Sequence, residues 1–182
     1  MQKQSLRKMA RQFCIDTGVW RETLDSFNTA AGTAEYSLDV PAPYVVSTVA
    51  QVYVHRVLGI REAGSTLNSS ETRYTISQEG KIKFKDAPTS VYAVIPDVVF
   101  VPIRNSVTYI DWIITRWGDA IAAGALFDLK SMSGGKMLVP WYDPGGAEKY
   151  EAEYLAGVAR AKVENIDGRE SGNVTIQLLP FV

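Results

Sequence analysis

Apolar positions in the first stretch, SLRKMARQFCIDTG, fall at Leu6, Met9, Ala10, Phe13 and Cys14. The spacing i, i+3, i+4, i+7, i+8 predicts one helical face. Ser5 is the expected cap and Thr17-Gly18 the expected stop. Val19 and Trp20 follow directly and are expected to fold back on that helix. From Gly32 to Ile103 the period drops to two and the residues become β-branched and aromatic, the mark of strands. TAEYSLDV alternates into the break Pro41-Ala42-Pro43, and YVVSTVAQVYVHRVLGI supplies one long strand or two short ones. The polar, small AGSTLNSSET reads as a loop from Ala63 to Thr72. In RYTISQEGKIKFKD, Tyr74 and Ile76 are expected to pair with Ile82 and Phe84 across a Gln78-Glu79-Gly80 turn, giving a hairpin with one buried and one wet face. TSVYAVIPDVVFVPI carries Pro96 and Pro102, which predicts an edge or bent strand.

Helical spacing returns in SVTYIDWIITRWGDAIAAGALFDLKSMSGG. Ile110, Ile113, Ile114, Trp117, Ile121 and Gly124 share a face, Ser106 or Thr108 could cap it, and Gly134-Gly135 ends it. The small residues from Ala120 to Ala125 let a second helix approach closely. The third helix starts in WYDPGGAEKYEAEYLAGVARAKV. Asp143 is placed to cap it and Pro144 to occupy its first position. Ala147, Tyr150, Tyr154, Leu155, Val158 and Ala161 form the stripe. Glu148, Glu151 and Glu153 lie early while Arg160 and Lys162 lie late, complementing the helix dipole. ENIDGRESGNV then reads as a flexible or extended linker, delivering the apolar, strand-prone VTIQLLPFV. Asn173, Val174, Thr175, Ile176, Gln177, Leu178, Leu179, Pro180, Phe181 and Val182 could add a strand to the chain's own sheet or reach another chain.

Composition narrows the function. The chain has 182 residues, 46% hydrophobic and 21% charged, with a net charge of −1. That suits one domain or a compact pair of subdomains and offers no broad electrostatic case for nucleic acid. Lys3, Arg7, Lys8 and Arg11 make a local basic patch, for which a solvated helix face is a sufficient account. Cys14 is the only cysteine, so intrachain disulfide and CxxC chemistry are excluded. No signal-peptide run and no stretch of about 18 apolar residues appears, so synthesis in a reducing cytosol and no membrane association are expected.

Catalytic chemistry finds little to stand on. His55 is the only histidine and lies in a strand pattern beside Arg56, so a nucleophile lacks a histidine base and a zinc site lacks ligands. No GxxxxGK[ST] loop and no strand-borne GxGxxG occurs. Asp111 and Asp119, eight apart on one helix, are the carboxylates to weigh for hydrolysis, and solvation accounts for them. No cofactor or metal is expected, and the chain is expected not to be an enzyme.

Three stretches carry a family likeness: LRKMARQFCIDTGVWRETLD leading into TAAGTAEYSLDVP; GKIKFKDAP with its extended run and then YIDWIITRWGDAIAAGALFDLKSM; and PWYDPGGAEKYEAEYLAGVARAKV. In that order, over about residues 5 to 163, the chain resembles a phage head-to-tail adaptor (connector) protein, of the group that includes the tail tubular protein A of short-tailed phages. The part after Ile166 and the loop from Ala63 to Thr72 do not match that pattern. The resemblance implies an α+β fold: a helical bundle of the N-terminal helix plus two long later helices, with a β-rich inserted subdomain; the extended C-terminal tail is read from the residues alone. The divisions are 1–31 (N-terminal helix), 32–105 (β-rich), 106–165 (two helices) and 166–182 (tail).

It further implies a structural virion protein in the neck between capsid portal and tail. Such adaptors form a homo-oligomeric ring, usually dodecameric, lining the DNA exit channel. The portal protein, a tail nozzle or other tail component, and passing genomic DNA without sequence specificity are its expected partners. Trp117, Ile121, Tyr150, Tyr154 and Val158 are the candidates for helix packing or a subunit interface. The alternative is a β-rich module of a phage tail that binds carbohydrate or a host surface, with Tyr44, Tyr53, Tyr74 and Tyr92 as an aromatic platform. A cell-wall carboxylate hydrolase is the third reading.

Overall fold

A computed structural model of the protein describes residues 2–46, 49–62, 68–69, 74–76, 80–106, 111–132 and 141–170. Most of the Ala63–Thr72 loop, Gln78-Glu79, the cap candidate Thr108, Gly134-Gly135 and Asn173–Val182 lie outside the described residues. The fold is α+β. In chain order the elements are α1 (Gln2–Thr17), β1 (Arg21–Thr23), β2 (Phe27–Asn28), β3 (Glu35–Ser37), β4 (Val45–Val46), β5 (Val49–Ala50), β6 (Val52–Glu62), β7 (Asn68–Ser69), β8 (Tyr74–Ile76), β9 (Lys81–Phe84), β10 (Ala93–Pro102), α2 (Asp111–Ser131) and α3 (Pro144–Glu170).

The larger antiparallel sheet runs β1-β10-β6-β7, with β2 also on β10. Thus β10, expected as an edge or bent strand because of its prolines, is a central strand and a bent one. The reason is local. The β1 pairing ends at Thr23↔Asp97 and the β2 pairing begins at Phe27↔Val94. The Leu24 N–H donates to the Pro96 carbonyl at 2.9 Å, so the N–H that proline lacks falls at this break. Register shifts at Asp97/Val98 and Val99/Phe100 against β6 bend the strand as bulges do. Asp97 ties the sheet on its wet face: Thr23 Oγ1 donates to it at 2.6 Å and Arg61 bonds it through two nitrogens, at 3.1 and 3.2 Å.

The smaller sheet is β3-β9-β8. Tyr74 sits opposite Phe84 and Ile76 opposite Ile82, as the alternation predicts. Ile82 and Phe84 are buried while Lys83 is exposed, and Gly80 adopts φ +70°, which favours glycine. Tyr36 of β3 joins the sheets, its ring 5.7 Å from Phe84 and 5.2 Å from Phe27.

The helices form one layer. Arg116 pairs with Glu164 at 2.6 Å and Lys130 with Asp143 at 2.7 Å, so α2 and α3 run antiparallel. Ser5 and Lys8 meet Asp128 while Phe13 meets Trp117, so α1 also runs against α2. Gly18, at φ +59°, ends α1 as expected, its N–H bonding Cys14 O at 2.9 Å. The Trp20 ring lies 5.4 Å from Tyr44 and 6.3 Å from Phe100, in the buried cluster that also holds Met9, Ala10, Phe13 and Cys14 of α1. Helices and strands share one continuous buried cluster.

Candidate interaction surfaces

Two contacts set how closely the helices pack. A Cβ on Gly157 of α3 would overlap that of Ala120 on α2, and one on Gly124 would lie 2.7 Å from Tyr154 Cδ2 and 2.8 Å from Met9 Cε. The small-residue run from Ala120 to Ala125 therefore does what its composition predicts: it lets backbones approach. Around it Phe13, fully buried, has its ring 5.7 Å from Trp117 and 6.3 Å from Tyr154. Trp117, Ile121, Tyr154 and Val158 are all buried among this chain's own helices. Tyr150 is half-buried beneath Lys130, whose Nζ lies 5.6 Å from the ring centre.

Polar ties fix the register. Ser5, expected as a cap, is instead a buried interior residue of α1 that donates to Asp128 Oδ2 at 2.7 Å. Lys8 pairs with the other Asp128 oxygen. A carboxylate is tolerated in this buried position because both oxygens are satisfied. Tyr154 Oη donates to Asp16 at 2.9 Å and Asn165 Nδ2 to Thr17 O at 2.8 Å. The Asn165 anchor and the Arg116–Glu164 pair hold α3 where a linker was expected. The helix runs on through Glu170, correcting the boundary at 166.

Asp143 caps α3 as expected, accepting the Gly146 N–H at 2.9 Å. A hydrogen bond from Lys130, with the Gly146 N–H, lowers its pKa, and the same pairing raises that of Lys130. Burial pushes the Cys14 thiol up to about 12, so it is an inert packing group. Burial followed by Asp16 raises Tyr154. Burial and then Glu22, which accepts from its hydroxyl at 2.6 Å, push Tyr44 up to about 12.

The remaining candidates disperse. His55 is exposed on β6, and partial burial, then Arg56 and Arg11, lower its pKa. Asp111 and Asp119 are both exposed on α2. Of the basic patch, Lys8 is paired with Asp128 and Arg11 donates to Tyr53 Oη at 3.3 Å. Among the described residues no group of three or more His, Cys, Asp or Glu side chains could hold a metal ion. Of the aromatic platform, Tyr44 packs inward on Trp20 and Phe100, and Tyr53 is tied to Arg11.

What lies open is apolar. Leu6 and Ile114, placed on the apolar faces of α1 and α2, are exposed, and the buried face of α1 is Ser5, Met9, Ala10, Phe13, Cys14 and Thr17. Leu155, placed in the apolar stripe of α3, is 55% exposed, and Val163 is 56% exposed. With exposed Ala152, Ala156 and Ala159 they form a second apolar stripe on α3, opposite the buried one. The signal was in the sequence as the spacing i, i+3, i+4, i+7, i+11. At the far end of the layer Gln2, Lys3, Leu129 and Trp141 line a hollow. No helix among the described residues is long and apolar enough to cross a membrane. Compared with known proteins, the chain matches no family model and no curated protein.

Proposed function

We propose that the chain is a structural virion protein, an adaptor ring subunit that joins the portal to the tail and lines the DNA exit channel. The observation that carries this reading is the discontinuous helical layer. Helix α1 comes from one end of the chain and α2 and α3 from the other, and the strands lie between them in sequence. That order and packing is what the resemblance to head-to-tail adaptors implies. The layer is rigid by construction, with glycine contacts, a buried Ser5–Asp128 tie and an anchored α3 end. A ring subunit needs such a body to hold its shape under load from a packaged genome.

In this proposal the copies form a homo-oligomeric ring, dodecameric as in the resembled group. The ring docks on the portal protein, offers a face to a tail nozzle or other tail component, and passes genomic DNA without reading its sequence. The protein resides in the virion neck after synthesis in the host cytoplasm. No cofactor, metal or catalytic residue is assigned. Asn173–Val182 supplies intermolecular contacts to the portal or a neighbouring subunit, backbone pairing giving affinity without catalytic groups.

The test is co-sedimentation with portal rings of the same particle, using the full chain and a chain ending at Gly172. The full chain is expected to travel with the portal, and the shortened chain to stay folded but bind more weakly. A full chain that leaves the portal alone overturns the proposal. A shortened chain that unfolds would show that the segment is core instead.

A further inference from the structure

We propose that the outward face of α3 is a docking surface for a second copy of this chain, the two α3 helices lying antiparallel about a two-fold axis. Three features point to self-recognition. First, the stripe of Ala152, Leu155, Ala156, Ala159 and Val163 is exposed along about three turns, and its three alanines permit a close helix approach like that of Gly157 on Ala120. Second, its charges are ordered along the helix. Glu151 and Glu153 precede the centre of the stripe and Arg160 and Lys162 follow it. An antiparallel pairing centred between Ala156 and Gly157 sets Glu151 opposite Lys162 of the second copy and Glu153 opposite its Arg160. Helical spacing puts Glu151 and Lys162 on one flank of the stripe and Glu153 and Arg160 on the other. The two-fold axis repeats both pairs, so four opposite-charge pairs flank the alanines, and the helix dipoles also oppose favourably.

Third, the charges are available. Among the described residues Glu151, Arg160 and Lys162 make no ion pair within the chain, and Glu153 has only an exposed contact with Lys149 at 3.8 Å. A parallel arrangement would instead set like charge beside like charge. The face is narrow, so the pair belongs to the weak, concentration-dependent class of contacts.

A two-fold contact closes on itself and cannot run round a cyclic ring. If the adaptor reading holds, the paired state is that of the free protein, and it opens when a subunit takes its place on the portal. The pairing itself does not depend on that reading and is tested without the portal.

The experiment is sedimentation equilibrium of the full chain from about 1 to 200 μM, a range that brackets weak pairing. The expected result is a shift from single to double mass. Charge reversal in E151K/E153K, or separately in R160E/K162E, should weaken pairing at least about tenfold, and an equimolar mixture of the two variants should regain double mass as a mixed pair. L155Q/V163Q, which alters exposed positions only, should also lose pairing with an unchanged far-UV spectrum. Single mass for the natural chain at every concentration overturns the proposal. So does a double mass that ignores the charge reversals, or variants whose mixture fails to recover.

Discussion

The helical layer and the β3-β9-β8 sheet solve the same burial problem by different means. The sheet relies on alternation: Ile82 and Phe84 point inward, Lys83 outward, and any apolar residue of suitable size could serve on the dry side. The layer relies on shape. Gly124 and Gly157 are fixed by what a Cβ would strike, and Asp128 by the Ser5 and Lys8 groups that meet it. The difference teaches where change is tolerated. A patterned sheet accepts substitution within its polarity classes, whereas a layer closed to backbone distance does not.

The comparison breaks most readily at the centre of the layer. Phe13→Ala removes the fully buried ring between Trp117 and Tyr154 and should cost about 3–5 kcal/mol in urea unfolding. Gly157→Val, which adds volume rather than removing it, should cost about 1–3 kcal/mol through overpacking against Ala120. Lys83→Thr in the hairpin should stay within about 0.5 kcal/mol. If Gly157→Val proved as mild as Lys83→Thr, the claim that shape rules the layer would be lost.

Polar and titratable groups sharpen the picture. Asp128→Ala strands the buried Ser5 hydroxyl and should cost about 1–3 kcal/mol, more than Asp97→Ala on the wet face of the larger sheet. Cys14, its thiol pushed up to about 12 by burial, should react with a thiol reagent only through opening of α1, so that labelling slows in step with stability. The smallest effect belongs to the Lys130–Asp143 pair. The lowered Asp143 pKa means its contribution is present above the ordinary carboxylate range and is lost as pH falls through the folded value. The raised Lys130 pKa means its share is present below the ordinary lysine range and lost as pH rises through the folded value. Far-UV spectra across both limbs should show fraying at the start of α3, and Asp143→Asn should flatten the acid limb.

Local chemistry made much of this legible in the sequence. Asp143-Pro144 announced the start of α3, Thr17-Gly18 the end of α1, and the Tyr74/Ile76 against Ile82/Phe84 pattern the hairpin register. What escaped depended on partners distant in sequence. Nothing near Ser5 signals that it is buried, because its acceptor lies 123 positions away. Pro96 left an edge strand and a bent one equally open because its compensation, the break between β1 and β2, is set by another strand. The linker expected after Val163 is helix as far as Glu170, with Asn165 reaching Thr17. The outward stripe on α3 was visible as spacing, but which of the helix's two apolar faces would be buried was decided by Gly157, whose absent side chain admits α2.

The most direct test of the adaptor account is native mass spectrometry of the full chain mixed with its portal ring. The account predicts one complex with a fixed copy number, equal to or a simple ratio of the portal's own symmetry, and no intermediate loadings at saturation. A portal whose mass stays unchanged, or that takes up a variable number of copies, would contradict it.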